Sequence, residues 1–375
     1  MARAATARVR PAGALPDPMF SAGVMNLVLP SFAFHESDFT EVDLELSQEF
    51  PWPGTLGART AQARAESTAR RADIGARRRE IVVRTAELYH RLRYVVTARA
   101  ILQRQRRLLA TAVDIATARY ATTTAPQSDP LQARVAMARL DAEDADLAEQ
   151  QSKVGAELKA LRNVRGPERL TIELIRPETV LLVLHGAQGA APAVTTDSLS
   201  AHPRLAARRA AVEAAERMVR VEQLGARPDF NITTRYGGRP LGDDFFSAFV
   251  GIRVPLWAGR KQNRLADAAR ADADAARADL AEETVTLQAE VEAAQAGVAS
   301  GETRLRLLTA QVIPSAFATV QAVLRSYRVG QAPFLNVLAA EDSLYRAELE
   351  AAMVAAEHLT HLVMLEQLLL REDAQ

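Results

Sequence analysis

Two long stretches of the chain repeat apolar and charged residues with the period of an α-helix. They cover about residues 56–163 and 259–370, and they are interrupted at residues 122–130 and 328–333. Each interruption holds Gly or Pro in a short polar run, which is typical of the tip of a helical hairpin. The pattern therefore predicts two hairpins of long helices.

Small and apolar residues in the second stretch recur at alternating spacings of four and three. They are Tyr345, Leu349, Ala352, Ala356, Leu359 and Val363. This is the heptad period of a coiled coil, and the alanines predict a close approach to the neighbouring helix. Pro314 lies in the same stretch, and because the periodicity continues on both sides of it we expect a kink or interruption there.

Alternation of apolar and polar residues replaces the helical period in two shorter segments, which predicts strands. In the second segment the apolar face consists of Phe246, Ala248, Val250, Ile252, Val254 and Leu256. In the first segment Val42, Leu44 and Leu46 alternate with acidic residues. Such strands fit a membrane barrel with its apolar face toward lipid, and they also fit the commoner soluble antiparallel sheet. Trp52 and Trp257 follow the strands, where aromatic side chains at a membrane interface would lie.

The same order of elements occurs twice along the chain. Matching residues in the two copies are Pro16 and Pro228, Asp17 and Asp229, Trp52 and Trp257, Tyr120 and Tyr327, and Leu131 and Leu338. We interpret this order as an internal duplication. The predicted parts are a first repeat at residues 1–163, an irregular connector with one short strand at 164–200, and a second repeat at 201–375, which starts with a helix at about 203–224. The two repeats form one intertwined domain.

Four strands cannot close a barrel, and an open sheet would expose its edges. Three chains that contribute four strands each would form a closed barrel of twelve, an even number, and the long helices would continue from it. The predicted fold class is therefore mainly α with a small β part, in which long helical hairpins form an α-barrel and the strands join a trimeric β-barrel.

Composition excludes several classes of protein. Lys and Arg total 46, as do Asp and Glu, and this zero net charge argues against binding to nucleic acid. The chain has no Cys, which removes disulfides, thiolate metal sites and thiol nucleophiles. No nucleophile–base arrangement or pair of catalytic carboxylates stands out, so we predict no catalytic residues, no cofactor and no enzyme.

His358 and His361 are three residues apart on one predicted helix face, a spacing that can hold a metal ion. The sequence places no third ligand beside them, and an incidental pair is the commoner case. The acidic run at residues 141–149 is more typical of a solvated helix face than of a cation site. We therefore predict no metal site.

No run of 18 or more apolar residues is present, so we predict no membrane-spanning helix. The first 16 residues are basic but lack the apolar segment of a secretory signal peptide. These observations leave two interpretations open, a cytoplasmic protein or a chain whose natural N-terminus is missing.

Two blocks of sequence resemble a known family. The first block resembles the C-terminal half of TolC-type outer-membrane efflux channels. It consists of PDF, then FFSAFVGIRVPLWAGR, then VIPSAFATVQAVLRSYRVGQAPFLNVLAAEDSLYRAELE. The block from LPDPMFSAGVMNLVLP to GTLGAR resembles the matching N-terminal block of the heavy-metal-efflux branch. The resemblance covers nearly the whole chain after Leu15.

The resemblance implies a homotrimer in the outer membrane of a Gram-negative cell. Its β-barrel would lie in the lipid bilayer and its α-helical barrel in the periplasm. The connector would form part of an irregular equatorial belt. It would be a passive exit duct, driven by an inner-membrane pump, expected to be of the resistance-nodulation-division type, through a periplasmic adaptor protein. Metal cations are the first candidate substrate.

The resemblance also places adaptor docking and gating at the helical tips. The tip residues are Arg119, Tyr120, Thr122, Thr123, Thr124, Arg325, Tyr327, Arg328, Val329, Gly330 and Gln331. We expect residues 329–331 to contact the adaptor, with Gly330 in the positive-φ conformation of a tight helical turn. We expect Arg325 and Arg328 to form ion pairs that keep the duct closed, or else to lie on a solvated helix face.

Members of this family begin with a signal peptide and a helix before the first strand pair. Here that helix is reduced to about residues 2–13, so the resemblance implies that the chain as given is truncated at its N-terminus. Two alternatives to the channel remain open. One is a soluble or periplasmic coiled-coil scaffold or adaptor-like protein, and the other is a truncated, non-functional relative.

Overall fold

The computed structural model describes residues 1–29, 32–34, 37–166, 171–186 and 199–369. The helices are α1 (Ala2–Ala12), α2 (Thr55–Ala121), α3 (Ser128–Leu161), α4 (Pro177–Gly186), α5 (Pro203–Leu224), α6 (Gln262–Leu307), α7 (Ile313–Arg328) and α8 (Phe334–Leu368). The strands are β1 (Met19–Met25), β2 (Glu41–Phe50), β3 (Asp229–Gly238) and β4 (Phe245–Arg253). The predicted class, mainly helical with a small β part, is therefore confirmed.

The chain forms two compact units, each built from both halves of the sequence. The first combines Met1–Ala76 with Ser200–Thr286, and the second combines Arg77–Leu199 with Leu287–Gln375. The helix α2 has 67 residues and α6 has 46, and both begin in the first unit and end in the second. The predicted repeat boundaries at residues 163 and 200 stay a prediction.

All four strands of the first unit lie in one antiparallel sheet of order β1-β2-β3-β4. The pairing of β2 with β3, in which Leu44 lies opposite Tyr236, joins the two halves of the sequence. Because side chains alternate between the faces of a strand, this register places most of the apolar residues on one face, whereas Met19, Met25, Phe245 and Phe249 lie on the other. The charged residues of β2, β3 and β4 lie on the opposite face.

A π-helical turn, Leu308–Val312, separates α6 from α7. Pro314 follows as one of the first residues of α7. Proline lacks the N–H of a helical hydrogen bond and its ring crowds the preceding turn, so the wider π-turn absorbs the mismatch. The expected interruption at Pro314 is therefore present.

The core of the second unit follows the heptad positions of α8. Tyr345, Ala352 and Ala356 are buried as the heptad predicts. Ala351 and Ala355 have no exposed surface at all, so the buried stripe is wider than a strict coiled-coil seam. Small side chains on this stripe let neighbouring helices pack closely.

The connector contains a helix where the sequence predicted a short strand. Residues 177–186 form α4, and the rest of the apolar run at 187–194 lies outside the described residues. Pro177 at the first helical position and Glu178 in the first turn are helix-start signals, and they outweigh the strand-like apolar composition that follows. The strand prediction is therefore wrong for residues 177–186.

One helical stretch of the described chain, Gln262–Arg328, is long and apolar enough to cross a membrane by length and composition. The prediction of no membrane-spanning helix rested on unbroken apolar runs, and it stays a prediction. Residues 307–324 contain no charged side chain, although Thr, Gln, Ser and Pro interrupt them. Only 11% of the most apolar 18-residue window is buried in this single chain. Core helices of soluble proteins meet the same criterion, so this stretch alone does not indicate a membrane span.

The two histidines of α8 pack against two glycines of α6, one helical turn apart. A Cβ atom on Gly297 would lie 2.2 Å from His361 Nδ1, and one on Gly301 would lie 2.8 Å from His358 Nδ1. His358 has no exposed surface. The glycines therefore provide the space that the imidazole rings fill. Among the described residues no group of three or more His, Asp or Glu side chains could hold a metal ion.

We predict that Gly301→Ala lowers the free energy of unfolding by about 1–2 kcal/mol, because overpacking a filled site costs more than alanine gains in helix propensity. Chemical denaturation of the purified protein measures this. Gly155→Ala in α3 is the matched control, since nothing lies within 4 Å of its added Cβ, and it should stabilise by roughly 0.5–1 kcal/mol. Equal stability of the two variants would contradict the close packing of Gly301 against His358. In a His358→Ala background, Gly301→Ala should no longer lower the free energy of unfolding.

Candidate functional site

The first helical tip joins α2 to α3 through a run of three threonines. Thr123 adopts a φ of +57°, a left-handed conformation that is rare for a β-branched residue. Thr124 donates from its backbone N–H (2.9 Å) and from its hydroxyl (3.0 Å) to the carbonyl of Arg119. The hydroxyls of Thr122 and Thr124 are 3.1 Å apart. These bonds satisfy carbonyls at the end of α2 and fix the shape of the tip.

The second tip joins α7 to α8 through a glycine-based helix cap. Gly330 has a φ of +79°, as the sequence predicts. Gly330 N–H donates to the carbonyl of Tyr327 (3.0 Å), and Gln331 N–H donates to the carbonyl of Ser326 (2.8 Å). This pair of bonds is the Schellman motif, which requires the left-handed conformation that glycine adopts without strain.

Tyr327 connects the second tip to the first. Its hydroxyl donates to Asp129 Oδ2 at 3.0 Å, and both residues are buried. Its ring packs against Phe334, with a centroid distance of 5.2 Å. Burial, and then the hydrogen bond to Asp129, raise the pKa of Tyr327 to about 12. The hydroxyl therefore stays protonated and keeps its role as a donor.

Arg119 connects the two tips from the other side. Its guanidinium lies 4.6 Å from the centroid of the Tyr327 ring and donates to the Tyr327 carbonyl. The second Nη donates to the carbonyl of Thr124 at 2.9 Å. A Cβ atom on Gly330 would lie 3.3 Å from this nitrogen, so the glycine also leaves room for the arginine. One side chain thus bonds the backbones of both tips.

The remaining predicted tip residues are exposed. They are Tyr120, Thr122, Thr123, Thr124, Arg325, Arg328, Val329, Gly330 and Gln331. Arg325 donates to the carbonyl of Gln321 on its own helix at 3.1 Å. Within the described part of one chain, neither Arg325 nor Arg328 forms an ion pair. Ion pairs that close the duct, and adaptor contacts at these residues, stay predictions.

The sequence did not single out Asp129 and Phe334, although both contribute to the junction between the tips. Each lies in the first turn of the helix that follows a tip. The contact of Asp129 with Tyr327 joins positions 198 residues apart. The matching tyrosines of the two repeats behave differently, because Tyr327 is 1% exposed whereas Tyr120 is 44% exposed.

The two tryptophans follow β2 and β4 at the same end of the sheet. Trp52 stacks on Phe230, with ring centroids 5.9 Å apart, and its backbone N–H donates to Asp229 Oδ1 at 2.9 Å. Trp257 is 71% exposed. Their assignment to a membrane interface stays a prediction.

The apolar face of the sheet is uncovered in the single chain. Exposed apolar side chains on this face belong to Phe20, Val24, Val42, Leu44, Leu46, Ile232, Phe246, Val250 and Ile252. The opposite face carries ion pairs, in which Arg235 lies 2.6 Å from both Glu41 and Asp43, and Arg253 lies 2.6 Å from Glu49. A soluble sheet buries its apolar face, whereas a membrane strand turns it toward lipid.

Comparison with known proteins agrees with this geometry. Residues 194–369 match the family model described as outer membrane efflux protein. No curated protein matches the chain.

Solved structures of outer-membrane channels share the fold across nearly the whole chain. The VceC outer membrane protein from Vibrio cholerae is 19% identical, with 98% of this chain and 90% of that chain covered and a TM-score of 0.79. The structure of CusC is 15% identical, with 98% and 86% covered and a TM-score of 0.82. The MtrE channel from Neisseria gonorrhoeae is 18% identical, with 98% and 85% covered and a TM-score of 0.73. Residues 194–369 thus match the outer membrane efflux protein family in sequence, and the whole chain shares the fold of these channel structures.

Proposed function

We propose that three copies of this chain form the outer-membrane exit duct of a tripartite efflux system in a Gram-negative cell. The observation that carries the proposal is the four-stranded sheet with one exposed apolar face and one charged face. Strands of about ten residues with this alternation are suited to a barrel wall between lipid and water. A coiled-coil scaffold or an adaptor would not need such a sheet.

The edges of the sheet support assembly with other copies. Strands β1 and β4 are its two edges, and successive strands are antiparallel. Because β1 and β4 run in opposite directions, β4 of one copy can pair with β1 of the next and keep the alternation. Three copies of four strands give a closed barrel of twelve, which leaves no edge unpaired.

The tips support docking of a periplasmic adaptor, which would connect the duct to an inner-membrane pump of the resistance-nodulation-division type. Val329 is 69% exposed and Leu335 is 62% exposed, so apolar side chains are available beside the polar backbone of the Gly330 turn. An apolar anchor within a polar rim is the usual composition of a protein interface. We propose this surface for the adaptor.

The charged face of the sheet supports cations, including metal ions, as the substrate class. Strand β2 alone places four carboxylates there, and two guanidiniums oppose them on β3 and β4. These six residues are Glu41, Asp43, Glu45, Glu49, Arg235 and Arg253. A lumen with an excess of acidic side chains raises the local concentration of cations. Such a duct would carry out no chemistry on what it conducts.

Cysteine cross-linking tests the assembly, because the natural chain has no Cys. Ser21 on β1 and Ser247 on β4 both lie on the charged face of the sheet. With both replaced by Cys, a short bis-maleimide added to outer membranes should give a covalent trimer on a denaturing gel.

The matched control is Ser21→Cys with Ser47→Cys, because β1 and β2 are neighbours within one chain. This pair should give only cross-linked monomer. Monomers alone from the first pair, or a ladder that extends beyond three copies, would contradict the closed trimer. Recovery of the protein in the soluble fraction would contradict the membrane location.

A further inference from the structure

A cavity of about 370 Å³ in the second unit has apolar walls and a basic rim. It lies among α2, the connector segment before α4, the start of α7 and the middle of α8. Its volume falls in the range of small-molecule sites, roughly 300–1,000 Å³. Neither the sheet nor the helical tips contribute to it.

The apolar part of the cavity lining comes from separate elements. It consists of Ala100, Ile101, Leu174, Ile175, Ile313, Ala351 and Ala352. Such a surface accommodates a hydrocarbon group, because apolar surface removed from water stabilises the bound state in proportion to its area.

The connector wall is fixed to α2 by hydrogen bonds. Ile175 N–H donates to Thr97 Oγ1 at 2.9 Å, and this bond is buried. Arg93 Nε donates to the carbonyl of Glu173 at 3.1 Å. The cavity is therefore formed before any ligand binds, which lowers the entropic cost of binding.

The rim has an excess of positive charge. Arg104, Arg107 and Arg176 line it together with Glu178 and Glu348. Arg104 forms an ion pair with Glu348, so these two charges compensate each other. In the described part of the chain, Arg107 and Arg176 have no ion-pair partner. Guanidinium groups bind carboxylates and phosphates through paired hydrogen bonds.

We propose that this cavity binds an amphiphilic anion, with a carboxylate or phosphate head on Arg107 and Arg176 and a single hydrocarbon chain on the apolar wall. The ligand chemistry has two sources, a free amphiphile or an anionic membrane lipid. The site is independent of the proposed duct, because its walls lie within one chain.

Calorimetry of the full chain in phosphatidylcholine nanodiscs tests the proposal with decanoate as the probe. Decanoate should bind saturably. Decyltrimethylammonium, which has the same chain length and the opposite charge, and butyrate, which lacks the long chain, should each bind at least about tenfold more weakly.

Substitutions at the cavity separate its two parts. Arg107→Gln with Arg176→Gln should weaken decanoate binding about tenfold, as the loss of two exposed charge contacts predicts. Ala100 lines the cavity but is exposed, so Ala100→Trp should abolish binding by filling the space without disturbing the core. Arg91→Gln is the control, because Arg91 is an exposed residue of α2 outside the cavity, and it should leave decanoate binding unchanged.

Nanodiscs that contain phosphatidylglycerol distinguish the two sources of ligand. Unchanged decanoate affinity in these discs assigns the site to a free amphiphile, whereas competition by phosphatidylglycerol that disappears in Ala100→Trp assigns it to a lipid. The absence of saturable decanoate binding to the natural chain, or equal binding by decyltrimethylammonium, would overturn the proposal.

Discussion

Tyr327→Phe is expected to loosen the junction between the two helical tips. The substitution keeps the ring contacts with Phe334 and Arg119 but removes the hydrogen bond from the hydroxyl to Asp129. A hydrogen bond to a charged group contributes about 1.5–3 kcal/mol, and its loss leaves a buried carboxylate without this donor. If the tips gate the proposed duct, a loss of about 2 kcal/mol shifts the closed-to-open equilibrium by roughly 30-fold in each subunit.

Conductance of the purified protein in planar bilayers measures this effect, and the variant should open far more often than the natural chain. Tyr120→Phe is the matched control, because Tyr120 occupies the corresponding position of the first tip but is exposed. It should conduct like the natural chain. Combining Tyr327→Phe with Asp129→Asn should add little to the single variant, since both remove the same bond. Unchanged conductance of Tyr327→Phe would show that this bond does not hold the tips together.

Local sequence signals were sufficient to predict the elements around this junction. Gly330 follows α7 at the position where a residue in the left-handed conformation commonly ends a helix. The alternation of residues in β4 defines both faces of a strand. These features depend on a few neighbouring residues, so backbone propensity and periodicity identify them. The helix α4 was missed because the strand-like apolar run was given more weight than the helix-start signals of Pro177 and Glu178 that precede it.

The contacts of individual tip residues could not be predicted from local sequence signals. Arg119 was predicted only as one of the adaptor-docking and gating residues of the tips, and the sequence did not show that its guanidinium donates to the carbonyls of Tyr327 and Thr124. Asp129 was not expected to matter, yet it accepts the Tyr327 hydrogen bond. Both roles depend on which helix lies beside which, and a single sequence holds little information about contacts some 200 residues apart.

The buried carboxyl group of Glu341 gives the second large expected effect, a dependence of stability on pH. Glu341 lies on α8, is 3% exposed, and its Oε2 atom has no hydrogen-bond partner in the described structure. Its neighbours Ala340 and Leu344 belong to a buried cluster with Val320 of α7. Burial raises the pKa of Glu341 from 4.5 to about 7.

The folded protein binds the proton of the Glu341 carboxyl group more tightly than the unfolded chain does. The contribution of Glu341 to stability is therefore greatest below the unfolded pKa of about 4.5, and it declines as the pH rises to about 7. Above pH 7 the penalty is constant, on the order of 3 kcal/mol. Glu341→Gln, which stays neutral, should therefore be more stable than the natural chain by about this amount at pH 8 and nearly equal to it at pH 4.5.

Chemical denaturation of both proteins between pH 4.5 and 8.5 measures the difference between their free energies of unfolding. Groups other than Glu341 titrate in both proteins, so their contributions cancel in this difference. Glu350→Gln on the same helix is the control, because Glu350 is 48% exposed and pairs with Arg304 at 3.1 Å. Its difference from the natural chain should stay below about 1 kcal/mol across the range. A difference for Glu341→Gln that does not change with pH would mean that a cation or donor from another copy compensates the carboxylate. In that case the assembled protein, rather than the single chain, sets the ionisation of Glu341.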